Sequence, residues 1–182
     1  MARHPPVTAR GLCYGRADVP LACSAEHAAV ALQTSFGRPA GSVVWSSPSP
    51  RCASVAQGLA SRWQADLRLD NRLLELNFGD WEGRAWTTIE RDDPARYASW
   101  MSEWRTAAPP GGESIEALME RVAAWVVALR EGMLGHATNR RPVVVAHAGV
   151  VRALLVLCEG VTWDDAMTRE VPHLAWRRIA LE

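Results

Sequence analysis

Arg3-His4 lies at the start of the sequence, Arg51 follows the stretch Ser46-Ser47-Pro48-Ser49-Pro50, and His147 closes the apolar run Val143-Val144-Val145-Ala146. These residue types suit a phosphoryl-transfer site that works without metal. A phosphomonoester brings up to about two negative charges, so fixed cations must converge on its oxygens. Arginine does this best, because its planar fork pairs with phosphate bidentately and keeps its charge. Arg3 and Arg51 both stand at the ends of expected strands. The nucleophile must be strong near neutral pH, and neutral imidazole, with a reference pKa of about 6.5, meets that need. His4 is placed for the role beside Arg3, provided an acceptor fixes its other ring nitrogen.

The departing oxygen needs a proton, which a carboxylic acid can donate. Glu75 is the expected acid, within Leu74-Glu75-Leu76-Asn77-Phe78-Gly79-Asp80-Trp81-Glu82-Gly83. Its leucine neighbours predict desolvation, which favours the protonated form, and a bound phosphate would favour it further. Asp80 and Glu82 are the rival acids.

Competing chemistries can be tested by inspection. A cysteine phosphatase needs Cys-x5-Arg, but Val19, Ala29, Gly58 and Asp164 follow the four cysteines at that spacing. No lysine follows a glycine, so there is no P-loop, and H-E-x-x-H is absent. Cys13, Cys23, Cys52 and Cys158 form no C-x-x-C pair, which fits neither a zinc site nor a small disulfide framework. No metal and no cofactor is expected.

The elements that must position these residues follow from pattern. The chain has 182 residues, 48% of them apolar, which fits one globular domain over residues 1–182. Twenty basic side chains balance twenty acidic ones, without the basic excess of a nucleic-acid binder. There is no secretory h-region and no long apolar run, so no membrane partner is expected and the cytoplasm is the expected address. Helices are expected at residues 26–36, 50–64, 114–131 and 148–158. Strands are expected at 42–45, 65–69 and 142–146, with 175–181 as the candidate for a last strand closing the sheet. Ser46 and Ser47 could cap the second helix. Strands alternating with helices imply a three-layer α/β/α sandwich with a mostly parallel central sheet. In such sheets ligands bind beyond the carboxyl ends of the strands, where Arg3-His4, Ser46-Ser47 and His147 are delivered.

At these residues the chain resembles the histidine phosphatase superfamily, also called phosphoglycerate-mutase-like. Five blocks carry the resemblance in the family's order: Arg3-His4, Tyr14 to Leu21, Ser46 to Arg51, Leu74 to Gly83, and Val145-Ala146-His147-Ala148-Gly149. It implies that His4 is phosphorylated and that Glu75 is the general acid. It also implies that Arg3, Arg51 and His147 complete the phosphate pocket, with Tyr14, Gly15, Arg16 and Ala148 at the substrate. Gly11 to Leu21 looks most like the alpha-ribazole phosphatase branch, whose members remove the 5'-phosphate of a benzimidazole nucleotide during cobalamin assembly. The substrate would then be a small phosphorylated molecule. Isomerisation of the phosphoglycerate-mutase type and non-catalytic phosphate binding are the alternatives.

Three departures stand out. Pro5 replaces the family's usual glycine and deletes an N–H. Arg10 stands where many members have asparagine. Only Met1 and Ala2 precede Arg3, so the expectation is either a stunted strand before the nucleophile or a start that is internal to a longer chain. Nine tryptophans are present, and Trp86, Trp100 and Trp104 fall in a small, helical, lid-like insertion at about 84–110. Ordinary packing is the expected role of these indoles, and stacking on an aromatic leaving group is the alternative. His27, His136 and His173 are expected to be structural or superficial.

Overall fold

The computed structural model describes residues 1–134 and 141–180. Val143-Val144-Val145-Ala146 has no polar position, as a strand covered on both faces requires. It is the heart of β4 (Arg141–Ala146). Val143 and Val145 pack with Val44, Val55, Leu59 and Trp63 on one face. Val144 and Ala146 pack with Leu118, Val122, Trp125 and Val150 on the other. The two-residue period of a strand thus divides one apolar run between two cores.

β1 (Ala2–Arg3), β2 (Ser42–Ser46), β3 (Asp66–Leu69) and β4 make one parallel sheet in the order β1-β4-β2-β3. α1 (Ala25–Phe36) and α2 (Pro50–Trp63) supply one core; α5 (Ile115–Leu134) and α6 (Ala148–Glu159) supply the other. This is the expected three-layer α/β/α arrangement. No helix among the described residues is long and apolar enough to cross a membrane.

Several local details differ from the sequence pattern. α2 starts with Pro50, which lacks only an N–H that the first turn could not have paired. The serines before it do not cap it. Ser46 Oγ donates to the carbonyls of Ser47 and Val145, and Ser47 Oγ turns toward His147. The hydroxyl of Ser114, by contrast, accepts the Ala117 N–H at 3.1 Å and caps α5.

The expected strand at 175–181 is not formed over its described residues, 175–180. Single bridges join Arg3 to His173 and Ala2 to Trp176, and Leu174 between them has φ 57°, which breaks an extended run. β1 is as short as expected, but it lies at the edge of the sheet. The 173–177 stretch lies on its open side, with Leu174 N–H bonded to the Arg3 carbonyl and Arg177 N–H to that of Met1.

The tryptophan-rich segment folds as α3 (Trp86–Asp92) and α4 (Pro94–Glu103). Cys13, Trp81 and Ile89 form a third, smaller core there, against Phe78, Trp86, Tyr97 and Trp100. Trp86 and Trp100 stack at 6.1 Å. α7 (Trp163–Thr168) packs beyond α6.

Candidate active site

β1, β4 and β2 are neighbours, with Arg3 opposite Ala146 and Ser46 opposite Val145. Their carboxyl ends therefore deliver His4, His147 and Ser47 to one place. The rings of His4 and His147 meet edge to face, with centroids 5.3 Å apart.

His4 is 2% exposed. Its Nδ1–H donates to the Pro5 carbonyl at 2.7 Å, which puts the lone pair on Nε2. Pro5 thus gives up an amide but supplies the acceptor that fixes the tautomer. Burial pushes the His4 pKa down to about 3; the bond to Pro5 opposes this, and the charges of Arg51 and Arg3 add to it. The ring is therefore neutral across the physiological range.

His147 is fully buried, with Nε2 2.9 Å from Ser47 Oγ and 3.5 Å from Cys52 Sγ. Burial first, then the Arg51 charge, holds its pKa well below the usual value. Burial likewise pushes the Cys52 thiol up, so it remains a thiol.

Arg51 is 1% exposed, and its guanidinium donates to the carbonyls of Ala17, Tyr14 and Gly15. It also lies 5.5 Å from the centre of the Tyr14 ring. Arg3 Nη1 donates to the Val171 carbonyl at 2.9 Å. Among the described residues, the buried Nε of each arginine has no partner. Two orphaned cationic donors are costly unless something anionic meets them.

Arg3, His4, Tyr14, Gly15, Arg51 and Glu75 line one pocket of ≈ 170 Å³, together with Leu12, Phe78 and Trp86. Gly15 is obligatory here, because a Cβ would lie 1.9 Å from the Leu76 carbonyl oxygen. Glu75 accepts the Leu76 N–H on Oε1 and the Gly149 N–H, at 3.1 Å, on Oε2. Its main-chain carbonyl accepts from Arg121 and Arg16. Arg121 also donates to the carbonyls of Arg72 and Leu74 and pairs with Glu113. Of the rival acids, Glu82 is occupied by the N–H groups of Arg16, Ala17 and Phe78, and Asp80 is exposed.

Three of the expected residues are not on the pocket wall. His147 sits behind His4. Arg16 turns its guanidinium to Glu113, at 3.3 Å. Ala148 lines a neighbouring groove instead. Arg10 is exposed and outside the pocket.

The sequence pattern singled out neither the pocket residues Leu12 and Phe78 nor the supporting residues Arg121 and Gly149. Trp86, expected to pack with stacking on a leaving group as the alternative, lines the pocket, and His173, expected to be structural or superficial, supports His4. His173 donates from Nδ1 to the His4 carbonyl at 2.8 Å, and its ring lies 5.2 Å from that of His4. Of the supporting three, only Gly149 lay in a quoted block, next to His147-Ala148.

The family model of the histidine phosphatase superfamily (branch 1) matches residues 1–182. The chain belongs to the histidine phosphatase superfamily. Among its relatives, an adenosylcobalamin/alpha-ribazole phosphatase of Escherichia coli (strain K12) is 28% identical over 169 residues, covering 93% of this chain and 81% of that protein. Glucosyl-3-phosphoglycerate phosphatase of Mycobacterium tuberculosis (strain ATCC 25618 / H37Rv) is 33% identical over 144 residues, covering 77% of this chain and 64% of that protein. The crystal structure of the alpha-ribazole phosphatase from Shigella flexneri superposes with a TM-score of 0.84 at 26% identity, covering 95% of this chain and 85% of that one. The fold of this histidine phosphatase is therefore the phosphoglycerate-mutase-like one.

Proposed function

We propose that this histidine phosphatase hydrolyses small phosphomonoesters through a phosphohistidine on His4, without metal. One observation carries the reading: a neutral imidazole, its tautomer set by Pro5, shares a pocket with two arginines whose buried Nε–H groups have no partner among the described residues. Phosphate oxygens dock on Arg3 and Arg51. His4 Nε2 attacks phosphorus, the P–O bond to the leaving group breaks, and protonated Glu75 gives its proton to the departing oxygen. Water then attacks phospho-His4 and loses a proton to Glu75, which releases phosphate and restores the free ring. His147 backs the nucleophile from beneath. Charge stabilisation and alignment supply most of the rate.

Two finer readings accompany this one. The Gly11–Leu21 block and the alpha-ribazole phosphatase relatives favour alpha-ribazole 5'-phosphate as substrate. The segment at 84–110 is read as a lid over the pocket that Trp86 helps to line. Four free thiols agree with a reducing, cytoplasmic setting.

The test is labelling with a phosphorus-32 monoester, quenched in alkali, followed by turnover over a panel that includes alpha-ribazole 5'-phosphate. Label on His4, turnover that survives EDTA, and loss of both in His4→Ala are the expected results. Full activity in that variant, or strict dependence on magnesium, overturns the scheme. A coupled mutase assay with a bisphosphate primer distinguishes hydrolysis from isomerisation.

A further inference from the structure

A second cavity, of ≈ 360 Å³, adjoins the phosphate pocket; Glu75 and Phe78 line both. Its volume falls in the range of roughly 300–1,000 Å³ typical of small-molecule sites. Its walls are strongly apolar: Trp100 and Met101 from α4, Trp104 just after it, and Trp163 and Met167 from α7. Trp104 and Trp163 meet edge to face, with centroids 6.1 Å apart. Such aromatic edges and faces suit a flat aromatic ring.

One cation stands in this apolar wall. Arg152 lies one helical turn after Gly149, the residue that holds Glu75. Its Nε donates to the Ala166 carbonyl at 3.2 Å, and among the described residues no carboxylate forms an ion pair with it. Burial lowers its pKa, while the charge of Glu75 raises it; a guanidinium stays ionised even so. A half-buried cation with no ion-pair partner among the described residues favours a ligand that brings an acceptor.

We infer that this groove holds the leaving group, and that it selects monoesters of a flat aromatic system carrying a hydrogen-bond acceptor, read by Arg152. The inference rests on the proposed role of Glu75: the acid that protonates the departing oxygen must stand beside the leaving group, and the groove opens there. The reaction is unchanged; the groove adds selectivity.

The test uses phenyl phosphate, 2-naphthyl phosphate and 6-carboxy-2-naphthyl phosphate. Wild type should prefer the naphthyl to the phenyl ester in kcat/KM, and Trp104→Ala should remove that preference. The ratio of carboxynaphthyl to naphthyl kcat/KM should fall by roughly tenfold in Arg152→Gln, the scale of one charge-assisted hydrogen bond at a partly exposed site. Arg152→Lys, which keeps the charge, should retain part of it. Calorimetry with the product 6-hydroxy-2-naphthoate reads the groove without turnover, and binding should weaken about tenfold in Arg152→Gln. Unchanged ratios and unchanged naphthoate binding, in variants that melt cooperatively, overturn the inference. Naphthoate binding that depends on Arg152, without hydrolysis of any ester, leaves the groove standing and overturns the phosphohistidine scheme instead.

Discussion

Gly149 and Glu75 are fitted to each other: the amide of the first meets the carboxylate of the second at 3.1 Å, and a Cβ on Gly149 would lie 2.2 Å from Glu75 Oε1. Alanine is otherwise welcome in the first turn of a helix. Gly149→Ala should therefore act on the carboxylate rather than on the fold. We expect kcat to fall by about a hundredfold, the usual penalty for an ångström of displacement at a reacting group. KM for a phosphomonoester and the melting temperature should change little. Steady-state kinetics and a thermal melt check this, and an unchanged kcat would separate Glu75 from the chemistry.

The neutral form of His4 is directly observable. Nitrogen-15 spectra of the imidazoles should show His4 protonated on Nδ1 alone from pH 5 to 8, because its pKa is pushed down to about 3. An imidazolium signature for His4 at pH 6 would contradict the buried, uncharged ring.

The same burial makes acid harmful to the fold. In the unfolded chain a histidine binds its proton below about pH 6.5, whereas folded His4 does so only near pH 3. Between those values the unfolded state holds more protons, so stability falls as pH drops. Above about pH 6.5 both states are neutral at this ring, and its contribution is flat. His147, shifted in the same direction, adds to the loss. Denaturant midpoints from pH 4 to 8 should therefore decline below pH 6.5; replacing His4 with glutamine should flatten that decline.

Arg121 ties the Glu75 segment to α5 through the carbonyls of Arg72, Leu74 and Glu75 and the carboxylate of Glu113. Arg121→Met leaves those acceptors and one half-buried carboxylate without their cation. A loss of about 3 kcal/mol in denaturant unfolding is expected, the scale of a broken buried pair. A loss below about 1 kcal/mol would mean that water replaces the guanidinium at little cost.

His173→Ala removes the donor from the His4 carbonyl. The ring of His4 then loses a neighbour 5.2 Å away, and the phosphorylation rate should fall about tenfold with little change in KM. His173→Gln, which can restore the donor, should recover part of the rate in a rapid-quench experiment.

How much of this could be read from residues alone varies with the kind of contact. β4 was plain, because a valine run leaves few alternatives, and α5 was plain from its apolar spacing. His4, Arg3, Arg51 and Glu75 could be singled out because their types are chemically costly to use without reason. Arg16 was misleading: the sequence shows a cation near the site but not the Glu113 carboxylate that draws it aside. The 175–180 stretch was misleading too, since nothing in Ala175-Trp176 announces that Leu174 takes a left-handed backbone. His173 was invisible for a different reason. Its value lies in a carbonyl 169 positions away, and no local pattern encodes such a distance.

That distance has a consequence for how the enzyme comes into being. β1 holds only two residues and gains its neighbours from β4 and from 173–177, segments far along the chain. Until those contacts close, His4 has no ladder to sit on and no dry surroundings to keep it uncharged. The pocket is therefore completed only by contacts between segments far apart in sequence, the kind whose loop closure makes folding slow.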